Sequence, residues 1–288
     1  MNTNARLPAT DRTHRRAART VIAAAISVVL LGEVQAAPGT LADSPLFLES
    51  SVQSNIFFMV DDSGSMDWEV LLTRGAELAH PTASDSGNLD YSPDTAEEER
   101  RLCAGYNGMA YNPTRTYTPW DGVDSASVTY ANATLAAARI DPYSAAAGTT
   151  NLSNNYYFLW NDANADGVYQ NGECPTHASA AADTTAECTA FGTTVCQRVS
   201  TLSAAQQTNY ANWYSYYRKR EYGAKRALSA VIIDSSARMG LATLWNNNAV
   251  RTPVKDVDDI TTPIDATAQT NKNTLLRNLF RINSTNGT

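Results

Sequence analysis

Six residues, Asn55–Val60 (NIFFMV), pass directly into the sequence DDSGSM, and this junction constrains the fold more than any other feature. Short continuous apolar runs of this kind are typical of strands that are buried on both faces of a parallel sheet. Open α/β sheets place their ligands at the carboxyl ends of such strands. The junction therefore predicts an α/β fold with a ligand site immediately after the first strand.

The loop after that strand carries oxygen-bearing side chains at alternate positions, Asp61, Ser63 and Ser65. Gly64 allows the backbone to bend between the serines, so that one carboxylate and two hydroxyls can converge on one point. Hard divalent cations such as Mg²⁺ or Mn²⁺ prefer these ligands. The pattern predicts a metal site with one position open for a carboxylate of a partner. The alternative is an ordinary strand-ending turn, in which Asp and Ser are common.

The first 36 residues have the features of a cleaved export signal. A segment with five arginines precedes an apolar core, Val21–Leu31, which is too short to span a membrane. Val34-Gln35-Ala36 then offers a small-residue cleavage site. The alternative is an uncleaved membrane anchor. The prediction is an exported protein whose mature chain has no transmembrane segment.

The charge of the chain excludes one class of partner. The formal net charge is −7, and loss of a leader with five arginines and two acidic residues makes the mature chain more acidic still. Binding of nucleic acid requires a basic surface that neutralises phosphates. We therefore expect no nucleic-acid partner, whereas an acidic chain suits hard cations.

Residues 80–200 form a region of different composition, rich in Asn, Asp, Ser, Thr, Ala and Gly and poor in helical periodicity. This composition predicts an insertion with short strands and long loops. An even number of cysteines in an exported chain predicts two disulfides, with three possible connectivities. Only two histidines follow the leader, so a zinc site is not expected. The candidate disulfide cysteines are Cys103, Cys174, Cys188 and Cys196.

A second candidate metal site lies inside this insertion. Residues 162–173 fit the twelve-residue calcium-loop pattern D-x-[DN]-x-[DN]-G-x₅-E without a gap, with Gly167 at the sharp turn and Tyr169 in the apolar position. Cys174-Pro175 follows at once, which predicts an isolated loop without flanking helices. The alternative is an acidic turn that binds no metal. The expected Ca²⁺ ligands are Asp162, Asn164, Asp166, the Val168 carbonyl, Gln170 and Glu173.

Helical periodicity returns after residue 201. Ser203 and Gln206 form a capping-box pattern, and apolar residues then recur at spacings of three and four from Tyr210 to Ile232, with Val231 among them. This pattern predicts one long helix packed on a sheet. The basic residues expected on its polar side are Lys219, Arg220, Lys225 and Arg226.

The last part of the chain predicts a strand, a loop and a helix. Residues 238–244 form an apolar run that predicts a buried strand. A polar loop with Asp256, Asp258 and Asp259 follows, and then a short amphipathic helix over residues 273–282. The alternation of strands and helices indicates a layered α/β structure.

Several segments resemble a known family. Asn55–Met66 resembles the first strand and metal-ion-dependent adhesion site of von Willebrand A domains. Other segments resemble, more narrowly, the PilY family of type IV pilus tip and biogenesis proteins. These are the YNP…Y-x-P residues Tyr111-Asn112-Pro113 and Tyr117-Thr118-Pro119, the aromatic helix Asn212–Lys225, the strand Arg238–Leu241, and Asn286-Gly287-Thr288.

The resemblance implies an incomplete von Willebrand A (Rossmann-like) domain with a large loop-rich, disulfide-tied insertion. It also implies that Thr288 is a further metal ligand. The family's later strand, its aspartate ligand and its β-propeller have no counterpart before Thr288, so we expect only weak binding of the divalent ion. The predicted segments are the signal peptide (1–36), lead-in, first strand and metal loop (37–79), insertion with calcium loop (80–200), and helix-strand-helix continuation (201–288).

The function that the resemblance implies is non-enzymatic, divalent-cation-dependent adhesion and assembly of type IV pili, including twitching motility and surface attachment. Minor pilins at the pilus tip and host or surface ligands with a carboxylate are the implied partners. The implied location is the periplasm or outer membrane, the cell surface or the pilus tip.

Three other classes of function stay open. An exported metal-dependent hydrolase is disfavoured because the sequence has no Gly-x-Ser-x-Gly and few histidines. An A domain of the metal-chelatase or complex-assembly type works inside the cell, and the leader argues against it. A generic secreted A-type binding module would be unrelated to pili.

Overall fold

A computed structural model describes residues 54–93, 95–174, 188, 195–245, 250–257 and 271–284. The predicted leader and Thr288 lie outside the described residues. All described residues fall within one compact unit, and the four predicted segment boundaries stay a prediction. In chain order the strands and helices are β1 (Asn55–Val60), α1 (Arg74–Ala79), α2 (Ala96–Arg101), β2 (Ala138–Arg139), β3 (Thr149–Thr150), β4 (Tyr156–Phe158), β5 (Cys196–Arg198), α3 (Ala204–Tyr216), α4 (Arg220–Asp234), β6 (Arg238–Thr243), β7 (Val250–Asp256) and α5 (Asn271–Phe280).

The main sheet joins strands from opposite ends of the described chain. β1 pairs in parallel with β6, with Asn55 opposite Arg238 and Val60 opposite Thr243. β7 pairs antiparallel with β6, which gives the order β1-β6-β7. Helix α5 packs against β6, β7 and α4. The prediction of a mixed α/β fold is therefore confirmed.

The prediction that β1 is buried on both faces is wrong. Ile56 and Phe58 are half-buried and Val60 is buried, whereas Phe57 is 44% and Met59 is 59% exposed. Among the described strands, β1 lies at the sheet edge, because β6 is the strand that pairs with it. Only one face of the apolar run packs on the core.

The prediction of a polar loop after β6 is also wrong in part, because residues up to Asp256 form β7. Pro253 has no amide hydrogen, and prolines in sheets are confined to edge strands and bulges. β7 is an edge strand among the described ones, and its register against β6 shifts around Leu241. Asp258 and Asp259 lie outside the described residues.

The single long helix predicted after Ser203 is in fact two helices. The predicted capping box at Ser203 and Gln206 is present and starts α3. Three residues then separate α3 from α4, and the middle one, Arg218, is buried. Its guanidinium donates to Glu69 Oε1 at 2.7 Å and to the Ile140 carbonyl at 2.6 Å. These contacts with distant residues outweigh the local helical periodicity.

Two residues of α4 lie on faces opposite to those predicted. Val231 is 50% exposed, although its spacing places it on the apolar stripe. Lys225, expected on the polar side, is only 3% exposed. Because the helix is interrupted before α4, a residue spacing counted from α3 no longer shows which face of α4 a residue occupies. The apolar stripe therefore does not continue from α3 into α4.

The insertion packs on the helices through aromatic rings. Tyr111 makes edge-to-face contacts with Tyr157 and Tyr210, at centroid distances of 4.8 Å and 4.9 Å. Trp120 stacks on Phe280 of α5 at 5.1 Å. Aromatic pairs of this geometry stabilise a core beyond the area they bury. The insertion and the helices therefore share one hydrophobic core.

Buried asparagines add hydrogen bonds between the insertion and the rest of the fold. Asn107 accepts from Leu71 N–H at 2.8 Å and donates to the Glu69 carbonyl at 3.1 Å. In α3, Asn212 accepts from Ala133 N–H at 2.8 Å. Buried amides are stable only when such partners exist. Within the described ranges, no helix has the length and apolar character needed to cross a membrane.

Candidate metal-binding loops

The first candidate loop starts where β1 ends. Ser63 Oγ lies 3.1 Å from Ser65 Oγ, and Ser63 N–H donates to Asp61 Oδ1 at 2.9 Å. The residues Gly64–Asp67 form a single 3-10 turn. The structure therefore brings three of the four predicted oxygen ligands into one turn, and the fourth, Thr288, lies outside the described residues.

The neighbouring aspartate, Asp62, has a structural role that the sequence pattern did not reveal. Its side chain is 1% exposed, and Oδ1 accepts a hydrogen bond from Trp245 N–H at 2.6 Å. Trp245 follows β6, so this bond ties together the carboxyl ends of the two parallel strands. The carboxylates of Asp61 and Asp62 consequently have different environments, because Asp61 is exposed.

Helix α4 begins beside the same loop. Lys219, which precedes α4, forms an ion pair with Asp67. Glu221 in the first turn of α4 accepts a hydrogen bond from Ser284 N–H at 2.7 Å. The chain four residues before Thr288 is therefore held at the end of α4 that contacts the first loop.

A buried ion pair supports this arrangement. Lys225 Nζ lies 2.6 Å from Glu221 Oε1, and their side chains are 3% and 7% exposed. Lys225 also donates to the carbonyls of Phe280 and Ile282, the residues at the end of α5 and just beyond it. The Glu-x₃-Lys spacing is the one signal in the sequence that indicates this pair, but it is equally common on helix surfaces.

The second candidate loop, residues 162–173, has the tight turn that the sequence predicts. Gly167 has a positive φ of 72°, and its N–H donates to Asp162 Oδ2 at 2.9 Å. Asp166 Oδ2 accepts from the side-chain amides of Asn164 at 3.0 Å and Gln170 at 2.9 Å. The pKa of the Asp166 carboxyl is lowered, chiefly because Val168 N–H donates to it. Three of the six predicted ligands, Asn164, Asp166 and Gln170, thus have their side chains in mutual hydrogen-bond contact.

Glu173, the predicted closing ligand of this loop, points toward a different partner. Its Oε2 accepts from Trp160 Nε1 at 3.0 Å and from Gln170 N–H at 2.9 Å. Across the described part of the chain, no three side chains of His, Cys, Asp or Glu are grouped as a preformed metal cluster. Closure of a full ligand shell in this loop would therefore require the Glu173 carboxylate to exchange these hydrogen bonds for a bound cation.

The four cysteines form two disulfides, which confirms the prediction and resolves its three alternatives. Cys103 pairs with Cys174, the residue directly after Glu173, and Cys188 pairs with Cys196. The first bridge fixes the end of the second loop to the residues after α2. The insertion is therefore tied covalently at the predicted calcium loop.

These features define an α/β protein with two parallel, paired strands. A disulfide-tied segment lies between these strands in the sequence, and a loop with Asp61, Ser63 and Ser65 follows the first strand. Over 234 residues the chain is 30% identical to the type IV pilus biogenesis factor PilY1 of Pseudomonas aeruginosa (strain UCBPP-PA14). The match covers 74% of this chain and 18% of that relative, so the chain spans less than a fifth of the relative's length. No family model matches the sequence. No solved structure matches it either.

The chain belongs to the PilY family. The resemblance stated from the sequence motifs is therefore confirmed at the level of the family.

Proposed function

We propose that this chain is a non-enzymatic module that assists type IV pilus assembly and surface attachment through a bound divalent cation. The observation that carries the proposal is the 3.1 Å approach of Ser63 Oγ to Ser65 Oγ beside Asp61, at the carboxyl end of β1. Two hydroxyls and a carboxylate suit Mg²⁺ or Mn²⁺, which keep open positions for water or for a partner's carboxylate.

A von Willebrand A-type sheet is the fold that we propose around this site. The parallel pairing of β1 with β6 and the antiparallel addition of β7 support it. The anchoring of Ser284 to Glu221 supports a role for Thr288 as a further ligand, because Ser284, four residues earlier, is held near the first loop.

Ca²⁺ is the ion that we propose for the second loop. The hydrogen bonds that gather Asn164, Asp166 and Gln170 support a site in which a cation replaces the amide donors around Asp166. Isolated extracellular loops of this kind bind Ca²⁺ with dissociation constants of about 10⁻⁴ to 10⁻³ M. The ion would stabilise the insertion rather than take part in adhesion.

Minor pilins at the pilus tip and carboxylate-bearing surface ligands are the partners that we propose, with the protein exported to the periplasm, outer membrane or cell surface. The alternative of a hydrolase would use Asp61 and Asp62 as paired carboxylates. The burial of Asp62 against Trp245 N–H disfavours it, because this carboxylate is already used within the fold.

Titration of the purified chain with Mn²⁺, followed by the electron paramagnetic resonance signal of the free ion, tests the first site. We expect weak binding, in the range of hundreds of micromolar or weaker by comparison with incomplete oxygen shells. Ser63→Ala, Ser65→Ala should abolish it, and Ser200→Ala, which removes an exposed serine elsewhere, should not. Binding that persists unchanged in the double variant would contradict the proposal.

Pilus assembly in the source organism tests the biological role. We expect Asp61→Ala to reduce surface piliation and twitching while the protein is still exported. Normal piliation and twitching with Asp61→Ala would favour a binding module without a role in pili. Activity of the pure protein on ester, phosphate or glycoside substrates would favour the hydrolase.

Calorimetric titration with Ca²⁺ at millimolar concentrations tests the second loop. Asp162→Ala should remove the heat of binding, whereas Asp234→Ala, at the exposed end of α4, should retain it. A wild-type chain that gives no heat, or an Asp162→Ala chain that binds equally well, would exclude Ca²⁺ as the ligand.

A further inference from the structure

A pocket of about 220 Å³ lies beside the second loop and shares wall residues with it, whereas none of its lining residues belongs to the first loop. Its walls come from the start of α1, the turn after α2, the YNP segment and the residues Gly167–Tyr169. Two arginines, Arg74 and Arg115, line the pocket. None of the described residues that line it is acidic. The lining is therefore positively charged in a protein with a formal net charge of −7.

The polar donors of this pocket are not used by the fold. Neither Arg74 nor Arg115 forms a side-chain hydrogen bond or ion pair with a described residue, unlike the arginines Arg218, Arg220 and Arg226. Asn112 Oδ1 accepts from Thr114 N–H at 3.0 Å, which fixes the orientation of the amide. Its Nδ2 group has no partner within the described ranges. The pocket therefore offers donors that make no bond to the described protein. The adjoining carboxylates of Asp162, Asp166 and Glu173 already accept hydrogen bonds from the lining residues Gly167, Val168 and Trp160.

The remaining wall is apolar, and two glycines allow its parts to pack closely together. A Cβ added at Gly105 would lie 2.5 Å from the indole of Trp160, and one at Gly75 would lie 2.2 Å from the Tyr169 carbonyl oxygen. The indole can lie at this wall only because Gly105 has no side chain. Trp160 Nε1 already donates to Glu173, so the ring contributes carbon surface to the pocket. Ala104, Ala110 and Val168 extend this surface.

We propose that this pocket is a binding site for a small organic carboxylate carried on a six-membered ring. Arg74, Arg115 and the Asn112 amide would bind the carboxylate, and the Trp160 indole would contact the ring. Guanidinium groups are suited to planar carboxylates, and charge-assisted hydrogen bonds are the stronger ones. The volume suits a ligand of monosaccharide or benzoate size, smaller than the usual drug-sized pocket.

Glucuronate and benzoate are the probes that distinguish a saccharide ring from an aromatic one. Calorimetric titration of the full disulfide-bonded chain should detect at least one of them, at millimolar affinity or tighter, while neutral glucose and benzyl alcohol should give no heat. Arg74→Gln and Arg115→Gln should each weaken binding by about tenfold, as expected for loss of one charged hydrogen-bond partner. Arg281→Gln removes an exposed arginine outside the pocket and should leave binding unchanged.

The titrations are carried out both in EDTA and in millimolar Ca²⁺, so that they do not depend on whether the second loop binds calcium. Thermal unfolding of each variant shows whether the substitution has impaired folding. We expect no such effect, because both arginines are exposed. Absence of heat with both carboxylates would overturn the proposal, and so would equal affinity of the wild type and the Arg74→Gln, Arg115→Gln double variant.

Discussion

Lys225 Nζ lies 2.6 Å from Glu221 Oε1 one helical turn away, and both side chains are almost fully removed from solvent. The pair bridges α4 to the chain after α5, since Lys225 donates to Phe280 and Ile282 and Glu221 accepts from Ser284 N–H. A buried ion pair is not by itself stabilising, but removal of one partner leaves an uncompensated charge. The pair therefore makes the position of Ser284 depend on α4.

Lys225→Met should destabilise the protein by about 3–5 kcal/mol, because the Glu221 carboxylate stays buried without its partner. The double variant Lys225→Met, Glu221→Leu should lose less than the sum of the two single variants, since no unpaired charge remains. Urea unfolding of the three variants measures these differences. Strictly additive losses would show that the two side chains act independently.

Two glycine-to-alanine substitutions should change stability in opposite directions. A Cβ at Gly75 would lie 2.2 Å from the Tyr169 carbonyl oxygen, so Gly75→Ala should separate α1 from the second loop and destabilise the fold by about 1–3 kcal/mol. Gly223 lies inside α4 and has no atom within 4 Å of the added Cβ. Gly223→Ala should therefore stabilise by about 0.5–1 kcal/mol. Chemical denaturation of both variants is the measurement, and a stabilised Gly75→Ala chain would refute the contact.

The two disulfides should differ in their contribution to stability. Cys103 and Cys174 are separated by 71 residues, and Cys188 and Cys196 by 8. The entropy of the unfolded chain then predicts a loss of about 4 kcal/mol for Cys103→Ala, Cys174→Ala and about 2–3 kcal/mol for Cys188→Ala, Cys196→Ala. Thermal and urea unfolding compare the two. Affinity for Ca²⁺ should fall in the first variant only, because Cys174 follows Glu173; an equal fall in both would argue against local anchoring.

Alkaline pH should destabilise the protein through its buried tyrosines. Burial raises the pKa of Tyr216 to about 12, and burial also raises the pKa of Tyr210 and Tyr222 above the ordinary value. The unfolded chain releases these phenol protons near pH 10, when the folded chain still holds them. Stability is therefore unaffected by these groups below about pH 10 and falls as the pH rises further, by about 1.4 kcal/mol per pH unit for each such tyrosine.

Tyrosinate absorbance at about pH 11, compared between the native and the urea-unfolded chain, measures this difference. Fewer tyrosines should be ionised in the native state. Tyr216→Phe should reduce the difference in absorbance by the contribution of one tyrosine. The variant also loses the hydrogen bond from Tyr216 to the Ala131 carbonyl. Equal absorbance of the native and unfolded chains at that pH would contradict burial of these rings.

Local sequence patterns predicted those parts of the fold that are determined by neighbouring residues. The bounds of β1, the strand at Arg238 and the capping box at Ser203 follow from apolar runs and cap chemistry over a few positions. The break between α3 and α4 has no local signal, because it depends on Arg218 reaching Glu69, 149 residues away in the chain. The strand β7 was missed because Pro253 is typical of loops unless a sheet edge accommodates it.

In the candidate sites, too, only the features that depend on neighbouring residues could be predicted from the sequence. The spacing of Asp61, Ser63 and Ser65 was sufficient to place three oxygen groups in one turn, because that geometry is local. The orientation of Glu173 toward Trp160 depends on packing of the insertion and could not be read from the calcium-loop pattern. The burial of Asp62 against Trp245 likewise requires the pairing of β1 with β6.

The long stretch of sequence between the paired strands β1 and β6 affects the rate of folding. The hydrogen bond from Trp245 N–H to Asp62 Oδ1 spans 183 residues of chain. Such long-range pairings form slowly, because the entropy of closing the intervening loop is lost before the contact is made. During synthesis, the backbone of β1 stays unpaired until β6 is made, and an apolar strand in that state is prone to aggregation. A holdase chaperone that shields β1 would therefore be expected to raise the yield of folded protein.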